Sequence, residues 1–448
     1  MTPIKYAAPR DDASLDDWLA FISQIHPREI ELGLERVSRV ASRLGLSKPA
    51  PKVITVAGTN GKGSTVKTLE TVLRASGYST GAYTSPHILR FSERIRLQGE
   101  EVADAAIVNC FARIEAQREP ESLSYFEFTT LAALMLFADA KVDFALLEVG
   151  LGGRLDATNV LTQPVACGIA SLGLDHEGFL LAAEDGVPDM PPLDRIAFEK
   201  AGIAKSGSPL LTQKYSASMA NTVATHASLH NAPLHARGQS WDATVYDGRL
   251  HYRDATGKLN LPLPRMTGAH QANNAALAIA MLRHQTAIHI PEAALAAAME
   301  WTRWPARMQT LSAGPLTDRL PTGSTVWLDG GHNPDAGAAI AKTLEDGPSV
   351  HVIIGMLENK DANGFLAPFA HKIETLTAVP IAGHAHHDPK DLRQLAQSLL
   401  HIADARPGSN VSAALELRAA QKGPSNVLIC GSLYLAGEVL RLNDQVPD

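Results

Sequence analysis

Apolar residues follow two rhythms along the chain. Leu15, Trp18, Leu19 and Ile22 share one helical face behind Ser14 and Asp17, which are spaced as a capping box. Val37, Ala41 and Leu44 repeat that spacing in a second helix starting near Leu34, and Lys48-Pro49-Ala50-Pro51 ends the pair. The rhythm then changes. Val53–Ala57 and Thr80–Thr84 read as short strands, and Phe144–Gly150 and Val165–Ala170 are near-continuous apolar runs of the kind found in strands covered on both faces. Helical stretches from about Asp104 to Gln117 and from Ser124 to Ala140 separate them. This alternation predicts an α/β fold with a mainly parallel sheet.

Further on, Gly178–Leu193 holds three prolines and three acids and reads as a surface loop. A short strand follows at Pro209–Thr212. Ala243–Tyr246 and Arg249–Arg253 flank Asp247-Gly248 and predict a hairpin. His270–His284 and Pro291–Met299 read as helices. Trp304-Pro305-Ala306-Arg307 reads as a hinge, which places one domain at 1–303 and a second, smaller α/β domain at 304–448. In the latter, strands at Thr325–Leu328, Val350–Gly355 and Val427–Cys430 alternate with helices opened by Asn333-Pro334 and Asp388-Pro389. That is the alternation of a Rossmann-like unit, but without G-x-G-x-x-G, so no dinucleotide role is expected.

The chemistry concentrates where the first apolar strand stops. After Val53–Ala57 come Gly58-Thr59-Asn60-Gly61-Lys62-Gly63-Ser64-Thr65, running directly into a helix. Glycines let backbone N–H groups approach phosphate oxygens, and the helix start adds partial positive charge. Lys62 suits the β/γ-phosphates, and Ser64 or Thr65 offers Mg²⁺ a hydroxyl. The spacing departs from G-x-x-x-x-G-K-[ST], with two residues between Gly58 and Gly61 and with Gly63 after the lysine. Glu148 lies near the C-terminal end of another apolar strand, where open α/β sheets place ligands.

Composition narrows the function classes. A net charge of −7 and a pI near 6.2 give no electrostatic case for nucleic acid. Cys110, Cys167 and Cys430 are odd in number and widely spaced, so neither a disulfide framework nor a zinc site is expected. No apolar run is long enough for a membrane helix. Asp11, Asp12, Asp16 and Asp17 ahead of the first helix argue against a targeting peptide, which makes the cytoplasm the expected compartment.

Nine motifs in order resemble the folylpolyglutamate synthase/dihydrofolate synthase family, relatives of the Mur ligases: GTNGKGS (58–64), TSPH with ERI (84–95), LEVGLGGRLDATN (147–159), GLDH (173–176), EKAGI (199–203), HQANNAA (270–276), WPARM (304–308), LDGGHNP (328–334) and GMLENKD (355–361). They span the chain from about His26 to its end. The resemblance implies a ligase: ATP activates a carboxylate as an acyl phosphate, and the amine of L-glutamate displaces phosphate. It implies dihydropteroate and reduced folates as the carboxylate substrates, a monomer, and a two-domain cleft that keeps water out.

By the same resemblance, one Mg²⁺ belongs on Ser64, Ser85 and Glu148. A second belongs on Glu148, His176 and a carbamylated Lys200. Lys62, His176 and Lys200 carry the catalytic roles, with a buried pair with Glu199 as the lesser alternative for Lys200. Gly58, Thr59, Asn60, Gly61, Lys62, Gly63, Ser64 and Thr65 cradle the ATP phosphates. Asn273 resembles the adenine-side contact, where an ordinary structural amide is the alternative. Arg307 resembles a phosphate contact, where a salt bridge is the alternative. Asp329 resembles the ribose-side or orienting acid, with His332 and Asn333 close by, and Gly331 stands where an Ala is common. On the pterin side the resemblance points to Pro27–Leu34, Arg90 and Phe126, with Glu31 where many bacterial members have Asp. The 178–193 stretch is longer than usual for the family.

Two further clusters have a reading each way. Arg90, Arg94 and Arg96 suit a polyanionic glutamate tail or a solvated strand edge. His384-Ala385-His386-His387 invites a metal reading but, with no acid or Cys beyond Asp388 to complete a ligand set, reads as a solvated loop. Other functions are weighed too. A Mur ligase carries a further N-terminal domain, whereas 57 residues precede Gly58 here. A phosphate-loop switch or motor fits the loop alone, and a non-catalytic folate-binding scaffold sits poorly with Lys62, Glu148 and His176 in place.

Overall fold

The structure is a computed structural model that describes residues 7–10, 12–26, 31–182, 184, 187–421 and 423–445. The chain divides into two compact units. Met1–His87, Phe91–Leu263 and Asn273–Trp301 form one; Ile88–Arg90, Pro264–Ala272 and Thr302–Asp448 form the other.

The first unit opens with helix α1 (Leu15–Ile22). Its capping box is complete: the Ser14 hydroxyl accepts from Asp17 N and the Asp17 carboxylate accepts from Ser14 N, both at 3.1 Å. Helix α2 (Glu35–Arg43) follows. An eight-stranded sheet then forms from β1 (Lys52–Ala57), β2 (Thr80–Tyr83), β3 (Ile95–Leu97), β4 (Glu100–Glu101), β5 (Phe144–Glu148), β6 (Ala166–Ile169), β7 (Leu210–Thr212) and β8 (Leu234–Ala236). Their order is β4-β3-β2-β5-β1-β6-β7-β8. Every pairing from β2 to β8 is parallel, and only the β2–β3 and β3–β4 pairings at one end are antiparallel. The expected mainly parallel sheet is therefore present.

Burial on both faces explains the apolar runs. Val53, Ala145 and Leu147 pack into a core built on α1, α2, α4 (Asp104–Arg118) and α5 (Tyr125–Asp139), where Trp18, Phe111 and Phe128 are buried. Ala57, Cys167 and Ile169 pack into a separate core with Ala197, Ala201 and Val223. The expected hairpin is β9 (Trp241–Tyr246) with β10 (Arg249–Asp254), extended by β11 (Gly257–Pro262) into a small antiparallel sheet. Tyr246 pairs with Arg249, and Asp247 and Gly248 both turn through the left-handed region at φ 50° and 65°.

The second unit carries a six-stranded sheet of β12 (Gln309–Thr310), β13 (Thr325–Leu328), β14 (Val350–Ile354), β15 (Ile373–Ala378), β16 (Ala405–Pro407) and β17 (Asn426–Cys430). The order is β12-β13-β17-β14-β15-β16, parallel except at β12. Asn333 caps the helix Pro334–Leu344 by accepting from Ala336 N at 2.9 Å.

One expectation needs correction. The 178–193 stretch is not wholly a surface loop. Glu177–Leu180 forms a helical turn with Leu180 buried, and Pro192 already begins the helix Pro192–Ala201. Glu184 is held by Arg154 and by Arg195 at 3.2 Å. Those arginines lie outside the stretch or at its far side, so its own composition concealed the anchor.

Candidate active site

Parallel pairing brings the candidate residues to one edge of the first sheet. Val56 of β1 aligns with Glu148 of β5, Ala57 with Ile169 of β6, and Tyr83 of β2 with Leu147. The C-terminal ends of four neighbouring strands therefore lead to Thr84-Ser85, Glu148, the glycine-rich loop and, beyond β6, Asp175-His176.

The glycine-rich loop enters helix α3 (Lys62–Ala75) at Gly61, whose φ is 86°. A Cβ there would lie 2.3 Å from Asn274 Oδ1, so conformation and space both demand glycine. With no side chain at the cap, an anion is left to complete the helix start. The loop is laced to the segment after β6. Thr59 N donates to Ser171 O at 2.7 Å, and the Thr59 hydroxyl donates to Gly173 O at 2.9 Å. Asn60 N donates to Ser171 Oγ at 3.2 Å. Thr65 Oγ1 donates back to Gly61 O at 2.8 Å.

Two ammonium groups meet at one loop carbonyl. Lys62 Nζ donates to Gly58 O at 3.0 Å and to Thr59 O at 3.1 Å, while Lys200 Nζ donates to Gly58 O at 3.0 Å. Lys200 is buried, and burial, with Lys62 adding to it, pushes its pKa down to about 7 against the pull of Asp175, Asp156 and Glu199. The Lys200–Glu199 pair is not formed. Glu199 accepts instead from Arg154 at 3.0 Å and Arg195 at 2.9 Å.

Ser64 and Glu148 are buried, and Ser85 N donates to Glu148 Oε2 at 3.2 Å. Two hydroxyls and a carboxylate are hard oxygen donors, too few for a closed cage. Mg²⁺ suits such a set because it keeps waters and substrate phosphate oxygens. Among the described residues no three His, Cys, Asp or Glu side chains cluster as a metal site. His176 stands at the head of its helical turn with φ 53°, its side chain 45% exposed and Nε2 3.9 Å from Asp175 Oδ2.

Phe126 occupies the first turn of α5, its ring centroid 5.8 Å from that of Tyr83. A Cβ on Gly150 would fall 2.4 Å from its ring, so the glycine after β5 leaves the room in which this aromatic sits. Pro27–Ile30 of the expected pterin loop lie outside the described residues. Glu31 is held at both oxygens, by His26 Nε2 at 2.6 Å and Arg36 Nη1 at 3.2 Å. The hydrogen bond from His26 is the main reason its pKa lies below the ordinary carboxylate value. Arg36 also reaches Glu127, the capping acid of α5, at 3.3 Å. Neither His26 nor Arg36 was a candidate by sequence: besides the nearby Glu31, their partners Ser122 and Glu127 lie about ninety residues along the chain.

Asn273 accepts at Oδ1 from Arg237 Nη1 at 2.8 Å, and its carbonyl accepts from Gln213 Nε2 at 2.7 Å. A guanidinium only donates, so the amide nitrogen of Asn273 must face elsewhere. Arg237 and Gln213 had no sequence signal.

The second unit holds Arg307, Asp329 and His332. The buried Asp329 carboxylate accepts from Met308 N at 2.8 Å and Gly331 N at 2.7 Å. Arg307 Nη1 donates to Ala306 O at 2.8 Å, and His332 Nδ1 faces Gly330 O at 2.9 Å. His270 feels both Asp329 and Arg307, and burial above all lowers its pKa. Of the three arginines, Arg90 is exposed, Arg94 Nε donates to His87 Nδ1 at 2.8 Å, and Arg96 is buried and pairs with Glu70. His386 Nδ1 faces His384 O at 2.7 Å, and His384 stacks on Tyr434.

A strand, glycine turn, lysine, hydroxyl and helix, with an acid at the neighbouring strand end, define a phosphate-loop nucleotide-binding α/β protein. Comparison with known proteins is more specific. Residues 316–442 match the family model described as "Dihydrofolate synthetase, C-terminal domain". The dihydrofolate synthase/folylpolyglutamate synthase of Escherichia coli K12 is 38% identical over 441 residues, covering 97% of each chain. That of Haemophilus influenzae is 33% identical, covering 95% of this chain and 96% of its own. The structure of E. coli FolC in complex with DHPP and ADP superposes with a TM-score of 0.86 at 37% identity, covering 97% and 99% of the two chains. A bifunctional folylpolyglutamate synthase/dihydrofolate synthase with Mn, AMPPNP and L-glutamate bound gives 0.83 at 35%, with the same coverage. The chain belongs to the dihydrofolate synthase/folylpolyglutamate synthase family and is an ATP-dependent ligase.

Proposed function

We propose that the protein joins L-glutamate to dihydropteroate, and to reduced folates, through an acyl phosphate. The observation that carries this is the phosphate loop set beside Glu148 and Lys200 at one sheet edge. A carboxylate oxygen of the pterin substrate attacks the γ-phosphorus of ATP, and ADP leaves. The glutamate nitrogen then attacks the acyl carbon and loses a proton, and phosphate departs with the carboxyl oxygen. Phosphoryl transfer rests on positioning and charge neutralisation. Lys62 moves from its loop carbonyls to the phosphate oxygens, and the amides from Gly58 to Thr65 surround them.

Bound Mg²⁺ supplies the remaining charge neutralisation. Ser64, Ser85 and Glu148 would hold one ion; Glu148, His176 and a carbamylated Lys200 would hold a second. With a pKa near 7, Lys200 is substantially a free amine at neutral pH. That form attacks the carbon of CO₂, making a C–N bond and releasing one proton, and so becomes an anionic oxygen ligand. Asn273 meets the adenine, Arg307 and His332 the phosphate and ribose side, and Asp329 orients that segment. Glu31, Arg90 and Phe126 serve the pterin side. We assign 1–303 to the ATP-binding domain and 304–448 to the C-terminal ligase domain, working as a monomer in the cytoplasm without nucleic acid.

The test is phosphate release from ATP with Mg²⁺ and glutamate, adding dihydropteroate or tetrahydrofolate and weighing the products. One glutamate gained on each substrate supports both activities, and product from one alone narrows the function. Release that needs neither substrate refutes the ligase chemistry.

A further inference from the structure

Glu70 is fully buried on α3, beyond the phosphate-loop residues, and its Oε2 accepts from Arg96 Nε at 3.2 Å and Lys67 Nζ at 3.0 Å. Arg96, on β3, turns its other arm to the next strand. Its Nη1 donates to Thr84 Oγ1 at 3.3 Å and to Glu93 O at 3.2 Å. Thr84 is the residue before Ser85, whose amide holds Glu148. One guanidinium therefore ties the phosphate-loop helix to the turn that carries Ser85 and, through it, to Glu148. A buried ion pair is weak evidence for stability, since apolar packing of similar volume often does as well. What a planar two-armed guanidinium adds is fixed geometry between two partners, which a lysine cannot reproduce.

We infer that Arg96 is a positioning residue for the ATP reaction, setting the Ser85–Glu148 pair at a fixed place relative to Ser64. The inference rests on the reading that these three residues hold Mg²⁺. It gives a role to a charged residue that is buried between the phosphate-loop helix and the turn after β2. Cutting the Thr84 arm should loosen the metal site while leaving the Glu70–Arg96 pair in place.

The test measures ligation rate against Mg²⁺ concentration, with the other substrates saturating, alongside thermal unfolding. Thr84→Val should raise the Mg²⁺ concentration for half-maximal rate about tenfold, the loss expected from one hydrogen bond to a charged group, with little change in melting temperature. Thr84→Ser keeps the hydroxyl and should restore wild-type dependence. Arg96→Lys keeps the charge against Glu70 but reaches one partner, and should shift the dependence in the same direction. Glu148→Gln is the reference. If it shifts the Mg²⁺ dependence and folded Thr84→Val and Arg96→Lys do not, the positioning role is overturned and the metal site stands. If Glu148→Gln shifts nothing, the metal reading itself fails and the inference falls with it.

Discussion

Replacing Lys200 with Met should stabilise the protein and inactivate it. The fall in pKa from 10.5 to about 7 means that the fold disfavours the ammonium by roughly 5 kcal/mol, at about 1.4 kcal/mol per tenfold. Because the folded pKa lies below the unfolded one, the unfolded chain binds more protons between them. Wild-type stability therefore rises with pH across about 7 to 10.5, and the penalty is full below pH 7. Linkage gives a penalty of roughly 4 to 5 kcal/mol at pH 6.5 and roughly 2 at pH 9. Met fills the stem's volume but loses the hydrogen bond to Gly58, worth about 1 to 2 kcal/mol. The variant should then be more stable by roughly 3 kcal/mol at pH 6.5 and nearly equal at pH 9. Urea unfolding of both proteins in CO₂-free buffer at the two pH values measures this directly. A difference that does not depend on pH, or a variant less stable at pH 6.5, would refute the buried-cation argument.

Other residues give sharper functional readouts. Lys62→Ala should lower ligation at least a hundredfold by removing the charge aimed at the transferred phosphoryl group, with far-UV circular dichroism unchanged. Gly61→Ala meets both the positive φ and Asn274, and should lower stability by about 1 to 3 kcal/mol in thermal unfolding while weakening nucleotide binding. Gly150→Ala pushes the Phe126 ring from its seat and should raise KM for the pterin substrate severalfold, leaving KM for ATP near wild type. Equal increases in both constants would assign Phe126 to general packing.

Much of the fold was legible because burial on both faces writes itself into the sequence. Val53–Ala57 and Phe144–Glu148 are apolar without alternation since every one of their residues is buried, on whichever face it lies. Gly61 was equally plain, because its glycine, lysine and hydroxyl neighbours make a local motif. The rest depended on partners far away in sequence. Arg96 reads as a surface charge among other arginines until Glu70 and Thr84 are seen on either side of it. His26 takes its meaning from Ser122, and Asn273 from Arg237. Lys200 stood next to Glu199 in sequence, yet successive helical residues do not face each other, so each found other partners. Charges paired through space leave no periodic trace, and such residues make up much of the site.

The acyl phosphate is the central claim, and oxygen labelling tests it most directly. Dihydropteroate carrying ¹⁸O in its carboxylate is turned over with ATP and glutamate, and the released phosphate is weighed. If a carboxylate oxygen attacks the γ-phosphorus, that oxygen leaves with phosphate, and each phosphate formed carries one ¹⁸O. Unlabelled phosphate alongside amide product would contradict the account, since it would mean that ATP is cleaved without activating the carboxylate.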